Sequence, residues 1–252
     1  MAHLFDLSGR VAIVTGANTG IGQAIALALA EAGADIAAVG RTPAEETVAK
    51  ARTLGRRAEI VSADLSTIAP VGDVVTQAVD RLGRIDILVN NAGIIRRADS
   101  LDFSEADWDA VIDTNLKSLF FLSQAVARAM LAQKSGGRII NIASLLSFQG
   151  GIRVPSYTAA KSGVAGLTKI LANEWAAKGI GVNAIAPGYI ATNNTEALRA
   201  DAVRNAAILD RIPAGRWGDA ADIGGAAVFL ASDAARYVHG HVLAVDGGWL
   251  AR

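Results

Sequence analysis

The sequence contains no cysteine. This absence excludes disulfide bonds, thiolate nucleophiles and metal sites built on thiolate ligands. Histidine is scarce as well, because the chain has only His3, His239 and His241, and their positions match no metal-ligand spacing. We therefore expect chemistry that uses no bound metal.

Neither sign of charge is in excess: 24 Lys and Arg residues balance 24 Asp and Glu residues, with no long basic run. A nucleic-acid interface or a polybasic membrane patch is therefore not expected. No apolar run reaches the ~20 residues of a membrane span, and residues 1–10 lack the pattern of a signal peptide. We expect a cytoplasmic protein whose partner is a small molecule.

Hydrophobic residues are abundant, at 52% of the chain. Short apolar runs alternate with longer helical stretches, and strands that are apolar on both faces are typical of a parallel sheet covered on both sides. We predict an α/β fold, namely one doubly wound Rossmann domain over residues 1–252, with a seven-stranded parallel sheet and helices on both faces. The predicted strands are 10–16, 34–40, 58–64, 85–93, 137–144, 180–188 and 241–248, and the predicted helices are 21–33, one starting near Pro43, 71–83, 104–133 and 157–179.

A glycine-rich turn, "TGANTGIG" (15–22), connects the first predicted strand to the first helix. Gly16, Gly20 and Gly22 allow close approach of backbone to backbone and leave N–H groups at the positive helix end for a pyrophosphate. The spacing is a variant of the dinucleotide fingerprint and is weak alone, because turns are rich in glycine anyway. Its place between strand and helix favours a dinucleotide cofactor.

The end of the second predicted strand bears on the choice between NAD and NADP. An acidic residue there would bind the ribose hydroxyls and repel a 2′-phosphate, but this chain has Gly40 and Arg41. The missing acid and the guanidinium favour NADP without excluding NAD, and Arg41 could instead be simply solvated. Asp64, which ends the third strand, fits a hydrogen bond to the adenine amino group or a cap of the next helix.

Tyr157 and Lys161 are four residues apart and so share one face of a helix. A phenol has a pKa near 10, which suits proton transfer at neutral pH poorly. An ammonium ~4 Å away would favour the phenolate by roughly 4 kcal/mol, or about three pKa units. A Tyr-x3-Lys pair is weak evidence alone, because such pairs often lie on solvated faces.

Two further polar residues strengthen this interpretation. Ser144 ends the fifth predicted strand, where its hydroxyl could hydrogen-bond a substrate oxygen as charge develops on it. Asn115 is unfavourable inside a predicted helix, and one explanation is that it holds a water molecule linking Lys161 to solvent. "NNAG" (90–93) borders the same crevice.

Taken together, "TGANTGIG", "NNAG", Asn115, Ser144 and "YTAAK" resemble, in order and spacing, the short-chain dehydrogenase/reductase family, from about residue 8 to the C-terminus. The resemblance implies a catalytic tetrad of Asn115, Ser144, Tyr157 and Lys161, a homotetramer packed through the two long helices, and an "APGYIAT" segment (186–192) over the nicotinamide. In that segment the backbone of Ile190 and the hydroxyl of Thr192 would lie near the carboxamide. The implied NAD(P)-binding residues are Gly16, Asn18, Thr19, Gly20, Ile21, Gly22, Arg41, Asp64, Leu65, Asn91, Ala92, Gly93, Tyr157, Lys161, Pro187, Gly188, Ile190 and Thr192.

The segments 93–100, 145–157, 189–218 and 245–252 resemble those of family members that act on keto-deoxy sugar acids in uronate breakdown. Arginines in these segments suit a substrate carboxylate. We predict Arg153 as its partner, with Arg96 second, although each could be an ordinary surface arginine. The predicted substrate residues are Arg96, Ser144, Gln149, Arg153 and Tyr157.

Three alternatives remain open at this point. The chain could be a gluconate 5-dehydrogenase, or a 3-oxoacyl carrier-protein reductase, although polar, arginine-bearing loops argue against an acyl substrate. It could also be a non-catalytic nucleotide-binding protein that senses redox state.

Overall fold

The computed structural model describes residues 4–252 and contains one seven-stranded parallel sheet in the order β3-β2-β1-β4-β5-β6-β7. This confirms the predicted doubly wound sheet with helices around it. The strands are β1 (Val11–Thr15), β2 (Asp35–Gly40), β3 (Ala58–Ser62), β4 (Ile87–Asn90), β5 (Gly137–Ile142), β6 (Ile180–Pro187) and β7 (Val242–Val245).

Helices cover both faces of this sheet. Alternate residues of β1 belong to two different apolar clusters. Ala12 and Val14 pack with helices α1 (residues 20–31) and α9 (221–231), whereas Val11 and Ile13 pack with α3 (71–82) and α5 (118–133). The helices are α1 (Gly20–Glu31), α2 (Glu45–Thr53), α3 (Val71–Leu82), α4 (Glu105–Ile112), α5 (Ser118–Gln133), α6 (Pro155–Trp175), α7 (Glu196–Ala200), α8 (Ala202–Arg211) and α9 (Ala221–Ala231).

The helix predicted at 104–133 is not a uniform α-helix. Ser104 caps α4 by accepting a hydrogen bond from the Asp107 backbone N–H, and a π-helical stretch, Asp113–Lys117, then connects α4 to α5. Such stretches are rare and often occur at functional sites. Helices α7, α8 and α9 had not been predicted, and they lie between β6 and β7 in the sequence.

A line of buried amides and hydroxyls connects α5 to α6 through the sheet. The Asn90 amide donates 2.9 Å hydrogen bonds to Ser123 Oγ and Asn141 Oδ1, and the Asn141 amide donates at 3.0 Å to Thr168 Oγ1. Both hydroxyls in turn donate to helix carbonyls. Because every member has a partner, this polar line fixes the two helices on the sheet at little desolvation cost.

The strand order reverses between β1 and β4, which are hydrogen-bonded neighbours although two strands separate them in sequence. A crevice opens there at the carboxyl ends of the strands, the usual ligand site of such sheets. Thr15 Oγ1 closes its floor by accepting 2.9 Å hydrogen bonds from the backbone N–H groups of Asn91 and Ala92.

Candidate active site

A cavity of about 300 Å³ lies at the carboxyl ends of β4, β5 and β6. It brings together residues from five separate parts of the sequence. Among the predicted site residues, its wall contains Ile21, Asn91, Gly93, Ser144, Gln149, Tyr157, Lys161, Pro187 and Gly188.

Tyr157 and Lys161 face this cavity from the first turns of α6. Pro155 starts that helix, where its fixed φ and missing N–H cost nothing. Lys161 is only 4% exposed, and its Nζ donates a 2.6 Å hydrogen bond to the carbonyl oxygen of Ile142 at the end of β5. The same nitrogen lies 5.6 Å from the centroid of the Tyr157 ring.

The structure does not show the predicted acidic phenol. Burial raises the pKa of Tyr157 above its usual value, while a hydrogen bond from Ser144 and the positive charge of Arg97 oppose that rise. The prediction placed the ammonium ~4 Å from the phenol, where it would dominate. Instead, Lys161 is directed at a backbone carbonyl, so desolvation prevails.

Burial also acts on the lysine, because it lowers the pKa of Lys161 from 10.5 to about 8. A low-polarity environment disfavours the charged form of an amine, and Lys161 has no carboxylate to compensate. The ammonium still predominates at neutral pH, next to the phenol.

Asn115 shapes the cavity wall through its side chain. Its Oδ1 accepts from the Ile94 N–H and its Nδ2 donates to the Ile94 carbonyl, both at 2.8 Å. The residue is 1% exposed, and the water molecule suggested from the sequence stays a prediction, because one N–H and one lone pair of the amide remain beyond these two bonds.

The glycine turn has the geometry of a phosphate cradle. Gly16 and Gly20 have left-handed φ angles of 65° and 57°. A Cβ on Gly22 would lie 2.1 Å from the Gly16 carbonyl oxygen, so only glycine allows this approach. Thr19 precedes α1 without capping it through its side chain, which leaves the first N–H groups available to an anion.

Asn91 holds this turn in place, because its Nδ2 donates to the Thr15 carbonyl at 2.9 Å and to the Gly16 carbonyl at 3.3 Å. Its side chain therefore braces β1 against β4. Asn18 and Thr19 lie in the turn itself, and Ala92 and Gly93 continue the same edge of the crevice.

Arg41 and Asp64 were predicted to border the adenosine of the cofactor. Arg41 is exposed directly after β2, and its positive charge contributes to lowering the pKa of Asp64. The larger cause is the hydrogen bond that Asp64 Oδ1 accepts from the Ser66 N–H at 3.0 Å. This bond closes a local turn and does not cap the next helix, because α3 begins at Val71 without a side-chain cap, so that alternative for Asp64 is wrong and the adenine contact stays a prediction. Leu65 beside it is buried.

The 186–192 segment reaches from the cavity to the glycine turn. Pro187 and Gly188 line the cavity, whereas Ile190 is buried behind it. The methyl carbon of Thr192 lies 3.5 Å from the place that a Gly20 Cβ would occupy. Thr195 Oγ1 accepts from the Thr192 N–H and donates to the Ile190 carbonyl, and this keeps the segment folded over the crevice.

The predicted carboxylate partners do not line the cavity. Arg153 lies 3.6 Å from Asp99, and Arg96 lies 3.1 Å from Asp107, so each guanidinium pairs with an exposed acid. Arg153 and Arg96 as partners of a carboxylate therefore stay predictions that the lining of this cavity does not support.

Two other arginines line the cavity instead. Arg97 donates a 3.3 Å hydrogen bond to the Asn194 carbonyl. Arg204 lies on α8, and its side chain forms no hydrogen bond or ion pair among residues 4–252. Arg204 was missed because α8 had not been predicted.

Within residues 4–252, no group of three or more His, Asp or Glu side chains is arranged to hold a metal ion. No helix in that range combines the length and apolar character required to cross a bilayer. His3 lies outside the described residues.

Comparison with known proteins agrees with this geometry. Residues 16–250 match a family model described as enoyl-(acyl carrier protein) reductase. The chain is 60% identical, over 98% of both sequences, to the 2-dehydro-3-deoxy-D-gluconate 5-dehydrogenase of Escherichia coli (strain K12).

Two solved structures show the same fold. One, assigned as a 2-deoxy-D-gluconate 3-dehydrogenase of Agrobacterium tumefaciens with bound NADP, is 64% identical and has a TM-score of 0.94 over 99% of this chain and 100% of that one. The other is a gluconate 5-dehydrogenase of Burkholderia cenocepacia J2315 in complex with NADP and tartrate, 42% identical, with a TM-score of 0.93 over 99% and 98% of the two chains. The chain therefore belongs to the short-chain dehydrogenase/reductase family.

Proposed function

We propose that the protein is a dehydrogenase that transfers a hydride between NADP and a keto-deoxy sugar acid, interconverting the acid with its diketo partner. The observation that carries this proposal is the Arg204 guanidinium, which has no hydrogen-bond or ion-pair partner among residues 4–252 and lies on the wall of the cavity that holds Tyr157. A cation of this kind suits the carboxylate of a sugar acid. Two relatives named for 2-dehydro-3-deoxy-D-gluconate are each 60% identical to this chain over 98% and 99% of their own length.

Four residues carry the chemistry in this proposal. Tyr157 gives a proton to the substrate oxygen in reduction and takes it back in oxidation, while the Ser144 hydroxyl hydrogen-bonds the same oxygen. Lys161 places positive charge beside the phenol, and Asn115 holds the wall at Ile94. The bound nicotinamide supplies or accepts the hydride.

The tight glycine turn suits a dinucleotide, because only glycine at 16 and 22 avoids a collision with Asn91 and lets the first turn of α1 approach the loop closely. We propose that the N–H groups of residues 19–22 hold the pyrophosphate and that Arg41 binds a 2′-phosphate. Asp64, Leu65 and the 91–93 edge border the adenosine, and Pro187 to Thr192 cover the nicotinamide. NADP is preferred in this proposal because Arg41 is exposed and forms no salt bridge among residues 4–252.

The assembly forms part of the proposal. Large apolar side chains are exposed on the long helices, where Trp108, Leu131 and Ile170 are each more than 40% exposed. We propose that residues 1–252 form one domain and that these helices pack about two-fold axes in a cytoplasmic homotetramer. Light scattering that reports a monomer at working concentration would reject this assembly, and cell fractionation checks the location.

A substrate panel tests the function. Keto-deoxy sugar acids, gluconate, other polyols and a 3-oxoacyl thioester are assayed with NAD and NADP, following absorbance of the reduced nicotinamide. We expect turnover of keto-deoxy sugar acids with NADP. Turnover of the thioester or of gluconate alone would favour the corresponding alternative. The Tyr157→Phe variant should bind cofactor without turnover, whereas a wild-type protein that binds cofactor and turns over nothing would be a sensor.

A further inference from the structure

Gln149 occupies a particular place in the substrate cavity. It follows the short 3₁₀ turn Leu145–Ser147, which begins directly after Ser144, and its backbone N–H donates to the Leu145 carbonyl at 3.1 Å. Its half-buried side chain forms part of the cavity wall. The glutamine is thus tied to the strand end that carries Ser144.

The orientation of its amide is set by two neighbours. Gln149 Oε1 accepts hydrogen bonds from Trp249 Nε1 at 3.1 Å and from Arg211 Nη2 at 3.3 Å. An indole N–H and a guanidinium can only donate, so both must meet the oxygen of the amide and never its nitrogen. The two donors therefore identify which atom of the Gln149 amide is the oxygen and which is the nitrogen.

The amide nitrogen is therefore the group that remains for the cavity. Nε2 has no hydrogen-bond partner among residues 4–252, and neither Trp249 nor Arg211 lines the cavity. Two N–H donors are available to an oxygen of a bound molecule.

The two neighbours are themselves held firmly. The Arg211 guanidinium lies 4.1 Å from the Trp249 ring centroid, a cation–π contact. Trp249 is 5% exposed and packs on Tyr189, with 4.6 Å between ring centroids. The 3₁₀ turn Trp249–Ala251 and the end of α8 thereby form a fixed support behind Gln149.

We propose that Gln149 is a specificity-determining donor to an oxygen of the sugar acid, and that Trp249 and Arg211 are positioning residues that keep its N–H groups directed at the cavity. This inference rests on the proposed function and deepens it. An acceptor-rich substrate gains from a pre-oriented donor, because the side chain needs no reordering when the substrate binds.

Three variants test the role. Gln149→Glu keeps an oxygen for Trp249 and Arg211 but turns a carboxylate oxygen toward the substrate, and Gln149→Met removes the donor without adding charge. Both should raise KM for the keto-deoxy sugar acid by about 10- to 100-fold, with NADP affinity unchanged. Trp249→Phe keeps an aromatic ring but removes one donor to Oε1, so a smaller rise in KM at unchanged kcat is expected.

Trp217→Phe is the matched control. Trp217 also packs on Tyr189, at 5.4 Å between ring centroids, but its Nε1 donates to Asn205 and not to Gln149. KM should stay at the wild-type value, with circular dichroism confirming that all variants fold. If both Gln149 variants bind the sugar acid as wild type does, or if Trp217→Phe matches Trp249→Phe, the inference is wrong. A wild-type protein inactive on every sugar acid would instead overturn the proposed function.

Discussion

The ammonium nitrogen of Lys161 donates a 2.6 Å hydrogen bond to the carbonyl oxygen of Ile142. This bond connects α6 to the end of β5, two residues before Ser144. The helix that carries Tyr157 and the strand that delivers Ser144 are therefore held together by a buried charge. Such a charge has a cost in stability that depends on pH.

That cost can be measured by unfolding. The folded pKa of Lys161 is about 8 against an ordinary 10.5, so between these pH values the unfolded chain binds a proton that the folded chain does not. The contribution of Lys161 to the free energy of unfolding should therefore increase as pH rises through that window, by up to about 3 kcal/mol. Urea unfolding of wild type and Lys161→Met at pH 7.5 and 10 should show this gain in wild type only. Identical pH dependence in both proteins would contradict it.

The tyrosine should titrate late. Burial raises the pKa of Tyr157, so its phenolate should form only above the ordinary value near 10 in the protein alone. The chain has three tyrosines, so subtracting the ultraviolet titration of Tyr157→Phe from that of wild type isolates this group. We expect added NADP⁺ to lower the pKa, because a positive charge near the phenol favours the phenolate. A difference titration with its midpoint below pH 10 in the free protein would oppose this prediction.

The substrate carboxylate should distinguish four arginines. Arg204→Ala should raise KM for the sugar acid by about 10- to 100-fold, because it removes a charged hydrogen-bond donor from the cavity wall. Arg97→Ala should raise KM as well, and lower kcat, because the Arg97 charge also acts on Tyr157.

The exposed pairs provide the controls for this comparison. Arg153→Ala and Arg96→Ala should change KM by less than about twofold, since their partners are Asp99 and Asp107 on the surface. A large KM effect at Arg153 with none at Arg204 would restore the prediction made from the sequence.

Cofactor preference should reverse at the end of β2. A Cβ on Gly40 would lie 3.5 Å from the Thr42 carbonyl oxygen, an ordinary contact, so Gly40→Asp fits without strain. The new carboxylate should disfavour a 2′-phosphate and lower the NADP to NAD preference at least about 100-fold. Arg41→Ala should weaken NADP binding alone, measured by fluorescence titration, and Arg236→Ala is the exposed control. Equal losses for NAD and NADP in Gly40→Asp would indicate general damage to the site.

The sheet could be predicted because its strands are continuous apolar runs bounded by glycine. A strand that is buried on both faces is apolar at nearly every position, and this pattern is visible in the sequence. The segment after β6 gave no such pattern. Helix α8 is capped by Asp201 and contributes mainly Ile208 to the core, so its helical character depends on contacts with the cluster around Trp249. Arg204 could not be identified without that helix.

Side-chain direction was the other quantity that sequence could not supply. Arg96 and Arg97 are adjacent and chemically equal, yet one pairs with Asp107 and the other lines the cavity. Asn115 was recognised as unusual in a helix, but its partner, the peptide of Ile94, required the π-helical stretch to be known. The raised pKa of Tyr157 likewise follows from burial, which a four-residue spacing does not report.

The Thr15 hydroxyl, which meets both Asn91 and Ala92, has a consequence for how the protein acquires its shape. An emerging chain that ended after β3 would carry the glycine turn with its hydrogen bonds to Val39 and Thr47 but without the bracing amide of Asn91, which follows β4. We expect full nucleotide affinity to arise in one step, when β4 docks beside β1 during synthesis or refolding and brings Asn91 to the glycine turn. Binding of the nucleotide would report that docking event in real time.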